Sequence, residues 1–122
     1  MQAIFLVDNG SLRPEATLNL RRVAALLSER SGYSVQAASL LHSNKVPAED
    51  LDGEPAVTLG PAVEEAAQAG VDEVIVLPFF FGPSLALTDY LPERMAAAQA
   101  RFPGLRVRGA MPLVGEVGKG ET

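Results

Sequence analysis

Asp8, His42 and Asp89 carry groups that take up protons or bind cations, each placed after an apolar run. His42 is the only histidine and there are no cysteines. Thiolate metal sites and disulfides are therefore excluded, and imidazole and carboxylate are the donors on offer. Asp8 opens the turn Asp8-Asn9-Gly10-Ser11 directly after Ala3-Ile4-Phe5-Leu6-Val7. Asp89 closes a stretch that begins with Val74 to Leu77 and passes through Pro78, Phe79-Phe80-Phe81, Gly82, Pro83 and Ser84. Asn9-Gly10-Ser11 ahead of a helix also has the form of a phosphate cradle, but it is short, and Asp8 opposes an anion there. Each group has a plainer use as well. Ser11, Thr88 and Asp89 suit helix N-caps, and Asp8-Asn9-Gly10 suits a turn bonded to its own backbone. A lone histidine after a strand is commonly a hydrogen-bonded loop residue, and Arg13 and Lys45 suit solvated surface charges.

The elements that must position these groups follow from hydrophobic pattern. Val74 to Leu77 is apolar at every position, which a strand needs when both its faces are covered. Pro78 cannot donate to a ladder, so that strand should end there. Ala3 to Val7 is a second run of the same kind. Ser11 is the expected N-cap of a first helix, with Pro14 and Glu15 in its first turn, Ala16, Leu20, Val23, Ala24 and Leu27 at helical spacing, and Ser31-Gly32 at its end. Val35 to Leu41 is a strand of smaller residues, expected near a sheet edge. Ser43 to Pro55 is polar and reads as a surface loop, long enough to suggest function. Leu59, Ala62, Val63, Ala66 and Ala67 mark a second helix stopped by Gly70. Leu91, Met95, Ala98 and Phe102 mark a third, with Pro92 in its first turn, and Leu105 to Arg108 is a half-exposed last strand.

Composition bounds the class. A chain of 122 residues with 48% hydrophobic and 20% charged residues suits one globular domain, expected over residues 1–114, with a flexible tail over 115–122. A net charge of −5 without a Lys/Arg cluster argues against nucleic-acid partners. No apolar run reaches membrane-spanning length, and the strand-like start without a charged n-region points to the cytoplasm.

Strands alternating with helices through short links predict an α/β fold of three layers, a four-stranded parallel sheet between helices. Right-handed crossovers bring every strand's C-terminal end to one edge. In the flavodoxin-like order 2-1-3-4 that edge gathers Asp8 to Arg13, His42 to Lys45 and Phe79 to Asp89, at the switch point where ligands bind.

A strand, a turn with Gly-Ser, a helix, then a strand followed by Pro-Phe-Phe, Gly and Asp-x-x-Pro resembles the small class II metal chelatases of the CbiX/SirB type. The resemblance runs from Ala3 to about Val114 and lapses mainly in the loop from Ser43 to Pro55. Gly10, Ser11, Pro78, Gly82, Asp89 and Pro92 match the family's motifs. Two residues depart from them. Asn9 stands where the family has its first histidine, and Ser84 (or Leu85, depending on a one-residue gap) replaces the second. Those imidazoles are the family's metal ligands and proton acceptors, and an asparagine amide accepts no proton.

The resemblance implies a lyase-class enzyme that inserts cobalt or iron into sirohydrochlorin, in cobalamin or sirohaem synthesis. The divalent metal is then a substrate, and no organic cofactor is implied. Such chemistry needs a loosely held ion, removal of two pyrrole protons and a flat anionic macrocycle held in place. His42, Asp8 and Asp89 form an N/O donor set that suits Co, Fe or Ni, with Asp8 and His42 the expected metal ligands and Asp8, Asn9 and His42 the expected catalytic group. Ser11, Arg13, Lys45, Phe80, Gly82, Ser84 and Asp89 are the expected substrate contacts. Arg13 and Lys45 would pair with substrate carboxylates, and Phe79, Phe80 and Phe81 would form an apolar wall. A single domain makes half of a cleft that the family's long type builds from two, so a homodimer is expected. Two other readings stay open: a metal- or tetrapyrrole-binding module that does not catalyse insertion, and a structural or regulatory domain with a vestigial pocket.

Overall fold

The two continuously apolar runs become the central strands. In the computed structural model, which describes residues 1–41, 43–79 and 91–109, β1 (Gln2–Asp8) and β3 (Glu73–Pro78) run parallel with Leu6 opposite Leu77 and Val7 opposite Pro78. The smaller-residue strand β2 (Val35–Ser39) flanks β1, and β4 (Arg106–Gly109) flanks β3. The order β2-β1-β3-β4, parallel throughout, is the one expected from the alternation of elements.

Helices on both faces explain why the central strands have no polar side. Helix α1 (Pro14–Ser31) covers one face, where Leu20 and Ala24 pack on Leu6. Helices α2 (Leu59–Gln68) and α3 (Leu91–Arg101) cover the other, over Ala3, Phe5, Val7, Val74 and Val76. Successive residues of β1 thus enter different cores. Leu6, Val7, Val74 and Val76 are fully enclosed, each contributing about 1.5–3 kcal/mol by leaving water. Burial is not complete along the two central strands. Met1 and Gln2 are exposed, and Ile75 and Leu77 are half-buried. The sheet's opposite end is instead finished by a polar row, in which Gln2 Nε2 donates to Glu73 Oε1 at 2.6 Å and Arg108 Nε pairs with Glu73 Oε2 at 2.7 Å.

Side chains from the helices seal the two outer strands, which would otherwise offer unpaired backbone groups. Ser28 Oγ accepts the Val35 N–H at 2.8 Å on β2. On β4, Gln99 Oε1 accepts the Val107 N–H at 2.9 Å, and Gln99 Nε2 donates to the Leu105 carbonyl.

Three local expectations are corrected. The N-cap of α1 is Arg13, extended at φ −88° and ψ 123°, not Ser11; Ser11 Oγ instead accepts the Arg13 N–H at 3.0 Å in a turn ahead of the helix. Pro14, with no N–H to satisfy, can then begin the helix itself. The stretch from Ser43 to Pro55 is not a bare surface loop. It forms two 3₁₀ turns, Ser43–Lys45 and Ala48–Leu51, anchored by the buried side chains of Val46 and Leu51. The Arg21 guanidinium on α1 donates to the carbonyls of Leu51, Glu54 and Pro55 at 3.0, 2.7 and 3.1 Å. The third correction is small: β4 begins at Arg106, one residue late, because Leu105 turns into the core and the Arg106 N–H starts the ladder on the Asp72 carbonyl at 2.8 Å. The expected tail from Gly115 to Thr122 lies outside the described residues. No described helix is long and apolar enough to cross a membrane.

Candidate functional site

Backbone pairing continues past the formal strand ends and ties three connecting segments into one edge. The Leu40 N–H donates to the Asp8 carbonyl at 2.9 Å and the Leu41 N–H to the Asn9 carbonyl at 3.0 Å. On the other side of β1, the Phe79 N–H donates to the Val7 carbonyl at 2.8 Å. Gly10 lets the chain turn away from β1. Its φ is +99°, and a Cβ there would overlap the Leu41 carbonyl oxygen. Only glycine combines that backbone conformation with so close an approach.

Asp8 sits where β1 meets this edge. Its register partner across the β1–β2 ladder is Ser39, so both side chains leave the sheet on the same face. Ser39 is 2% exposed, and its hydroxyl donates to Asp8 Oδ1 at 2.6 Å. Burial raises the Asp8 carboxyl above its ordinary value of 3.8, outweighing the hydrogen bonds from Ser39 and the Gly10 N–H, which favour the ionised form. In front of Asp8 is an open cleft of about 310 Å³, lined among others by Asn9, Gly10, Ser11, Asn19 and Phe79. Phe79, Ala16 and Leu20 give it an apolar wall, beside the polar groups of Asp8, Asn9, Ser11 and Asn19. A more apolar groove of about 290 Å³ lies between α2 and α3, bounded by Leu59, Val63, Met95 and Phe102. That groove contains no strand-end residue, and its ionic groups include a pair, Arg101 Nη2 to Glu64 Oε2 at 3.2 Å. The cleft is therefore the better candidate, because it joins polar groups to a perturbed carboxyl.

Of the residues picked out from sequence, Asp8, Asn9 and Ser11 are brought together in this cleft, with Phe79 beside them. Arg13 and Lys45 are exposed and do not line it; Arg13 heads α1, and Lys45 ends the first 3₁₀ turn. His42, Phe80, Phe81, Gly82, Ser84, Thr88 and Asp89 lie outside the described residues. Among the described residues, no three His, Asp or Glu side chains gather closely enough to hold a metal ion. Two contributors escaped the sequence reading. Asn19 follows Ala16 by one helical turn and shares its face, a spacing that could have revealed it. Ser39 carried no local signal, since its role depends on the register between β1 and β2.

The chain matches the model of the CbiX family over residues 3–116. It is similar to the sirohydrochlorin ferrochelatase, chloroplastic, of Arabidopsis thaliana, with 29% identity over 110 residues; these make up 90% of this chain and 44% of that protein. The chain thus spans less than half the length of this curated relative. Among solved structures it is similar to a putative cobalamin (vitamin B12) biosynthesis CbiX protein from Marinobacter aquaeolei VT8, with a TM-score of 0.74 and 21% identity, covering 99% of this chain and 89% of that one. At that identity the likeness establishes the fold.

Proposed function

This chain belongs to the CbiX family, and on that premise we propose that it inserts a divalent metal, Co or Fe, into a sirohydrochlorin-type tetrapyrrole in the cytoplasm. The observation that carries this reading is the Asp8 carboxyl, half-buried at the head of the cleft and raised above the usual carboxylate range by that burial. Insertion requires a base for two pyrrole protons. Asn9, at the position where the resemblance puts an imidazole, cannot serve. Its neighbour Asp8 can, taking the protons one at a time and releasing each to solvent through the open cleft, and a carboxyl shifted toward neutrality is a better proton acceptor than an exposed one. Ser11, whose oxygen is engaged by the Arg13 N–H, keeps its own proton to donate to substrate. Phe79 supplies apolar wall. Arg13 and Lys45, on the segments that follow β1 and β2, are the proposed partners of the macrocycle's carboxylates, and Asn9, Phe80, Gly82, Ser84 and Asp89 complete the proposed contacts.

His42 is the proposed nitrogen ligand of the incoming metal, with Asp8 supplying oxygen. Metal binding needs the neutral imidazole, so Co²⁺ affinity should fall with pH as the ring gains its proton. His42→Ala should remove that dependence and weaken Co²⁺ binding by roughly tenfold or more, whereas Asp89→Asn should cost little if Asp89 mainly caps a helix. Calorimetry on both variants, beside a spectroscopic insertion assay with sirohydrochlorin, is the test. Unchanged affinity in His42→Ala would remove this ligand set. Metal binding without insertion by the unaltered chain would favour the second reading, a non-catalytic binding module, which the replacement of an imidazole by Asn9 supports.

A macrocycle enclosed from both sides needs a second wall. A C2 dimer of this chain is the proposed solution. Light scattering at tens of micromolar should give twice the 12.9 kDa chain mass. A strict monomer, with and without the tetrapyrrole, would rule the dimer out.

A further inference from the structure

We infer that Ser39 is a positioning residue for Asp8: its buried hydroxyl holds one carboxylate oxygen against β2, so that the remaining lone pairs are presented to the cleft. The two residues are register partners at the ends of adjacent parallel strands, and the 2.6 Å separation between Ser39 Oγ and Asp8 Oδ1 is that of a charge-assisted bond. The serine backbone is fixed independently. Its N–H donates to the Val57 carbonyl at 2.9 Å, and the next residue's N–H donates to the Asp8 carbonyl at 2.9 Å. The hydroxyl therefore projects from a rigid strand end, and it has a single proton to give. Asp8 has two carboxylate oxygens and an aspartate side chain free to rotate about χ1 and χ2. With one oxygen pinned by Ser39, that freedom is removed before a ligand arrives. Partners of this kind, which touch a reacting group without touching the substrate, typically change metal affinity or activity 10- to 100-fold when removed.

The backbone bond to Val57 survives any side-chain change, so Ser39→Ala isolates the hydroxyl. The functional consequence rests on the chelatase reading, but the positioning itself does not, and the two can be separated. Side-chain three-bond couplings of Asp8, measured by NMR on the metal-free protein, should report one χ1 rotamer in the unaltered chain, averaging in Ser39→Ala, and one rotamer again in Ser39→Thr. Calorimetry with Co²⁺ alone should show affinity roughly tenfold weaker in Ser39→Ala, restored in Ser39→Thr. Adding Ser39→Ala to Asp8→Ala should cost nothing further, because the serine acts through the carboxylate. Unchanged Asp8 couplings in Ser39→Ala would overturn the inference whatever the metal does. Averaged couplings with unchanged Co²⁺ affinity would overturn it as a role in the site. If the unaltered chain binds no Co²⁺ while the couplings change as expected, the positioning stands and the metal reading falls.

Discussion

Gly10→Ala is expected to lower the stability of the fold by about 3 kcal/mol or more, the range reserved for strain or a steric conflict at a special backbone position. Two costs add. At φ +99° an alanine is strained in any surroundings. Its Cβ would also occupy the space of the Leu41 carbonyl oxygen, a backbone atom that cannot rotate aside. Relief requires moving the turn after β1 away from the end of β2. That movement breaks the hydrogen bond from the Leu41 N–H to the Asn9 carbonyl and opens the edge on which the cleft is built. Gly32 offers an internal comparison. It closes α1 at φ +80° with nothing near its missing side chain, so Gly32→Ala carries the backbone cost alone, about 1–2 kcal/mol. Chemical denaturation of both variants checks the claim. A loss for Gly10→Ala no greater than that for Gly32→Ala would mean that the contact with Leu41 is not rigid.

Asp8→Asn should separate activity from stability. If Asp8 is the base for pyrrole protons, insertion should slow by roughly 10²- to 10⁴-fold, the usual worth of a positioned proton acceptor. Folding should respond in the opposite direction. A carboxyl whose value is raised in the folded protein binds its proton more tightly there than in the unfolded chain. Its favourable contribution is complete at pH below the ordinary value of 3.8 and is lost as pH rises through the higher folded value. Near neutrality the charged, half-buried Asp8 therefore costs stability. The neutral amide introduced by Asp8→Asn removes that cost, while its oxygen can still accept from Ser39. The gain should be small, since the carboxyl still meets water in the cleft. Asp8→Asn should melt higher than the unaltered chain at pH 7, with the difference vanishing toward pH 3. A variant less stable at every pH would show that Asp8 is structural, its charge satisfied by Ser39 and Gly10. Full insertion activity would move the proton acceptor elsewhere.

The central strands, the parallel order and the edge that gathers the strand ends were legible from residue order. Continuous apolar runs can be satisfied only by cover on both faces, and a strand–helix alternation with right-handed crossovers leaves few other arrangements. Asp8, Asn9 and Ser11 could be assigned to one edge for the same reason, because they follow the first of those runs. Other features depended on contacts between distant segments. Ser11 has the chemistry of a helix cap, yet Pro14 and the turn ahead of it shift the cap to Arg13. Ser43 to Pro55 is polar by composition, yet Val46, Leu51 and the reach of Arg21 from α1 pack it down. Ser39 and Gly10 owe their significance to the register of β2 against β1, which sets Ser39 beside Asp8 and the Leu41 carbonyl against Gly10. A one-residue shift in that register would send Ser39 to the opposite face. Periodicity determines which face of an element is buried; which two side chains meet across the sheet is decided only when the strands pair, because hydrogen-bond register is a property of two strands and not of either sequence alone.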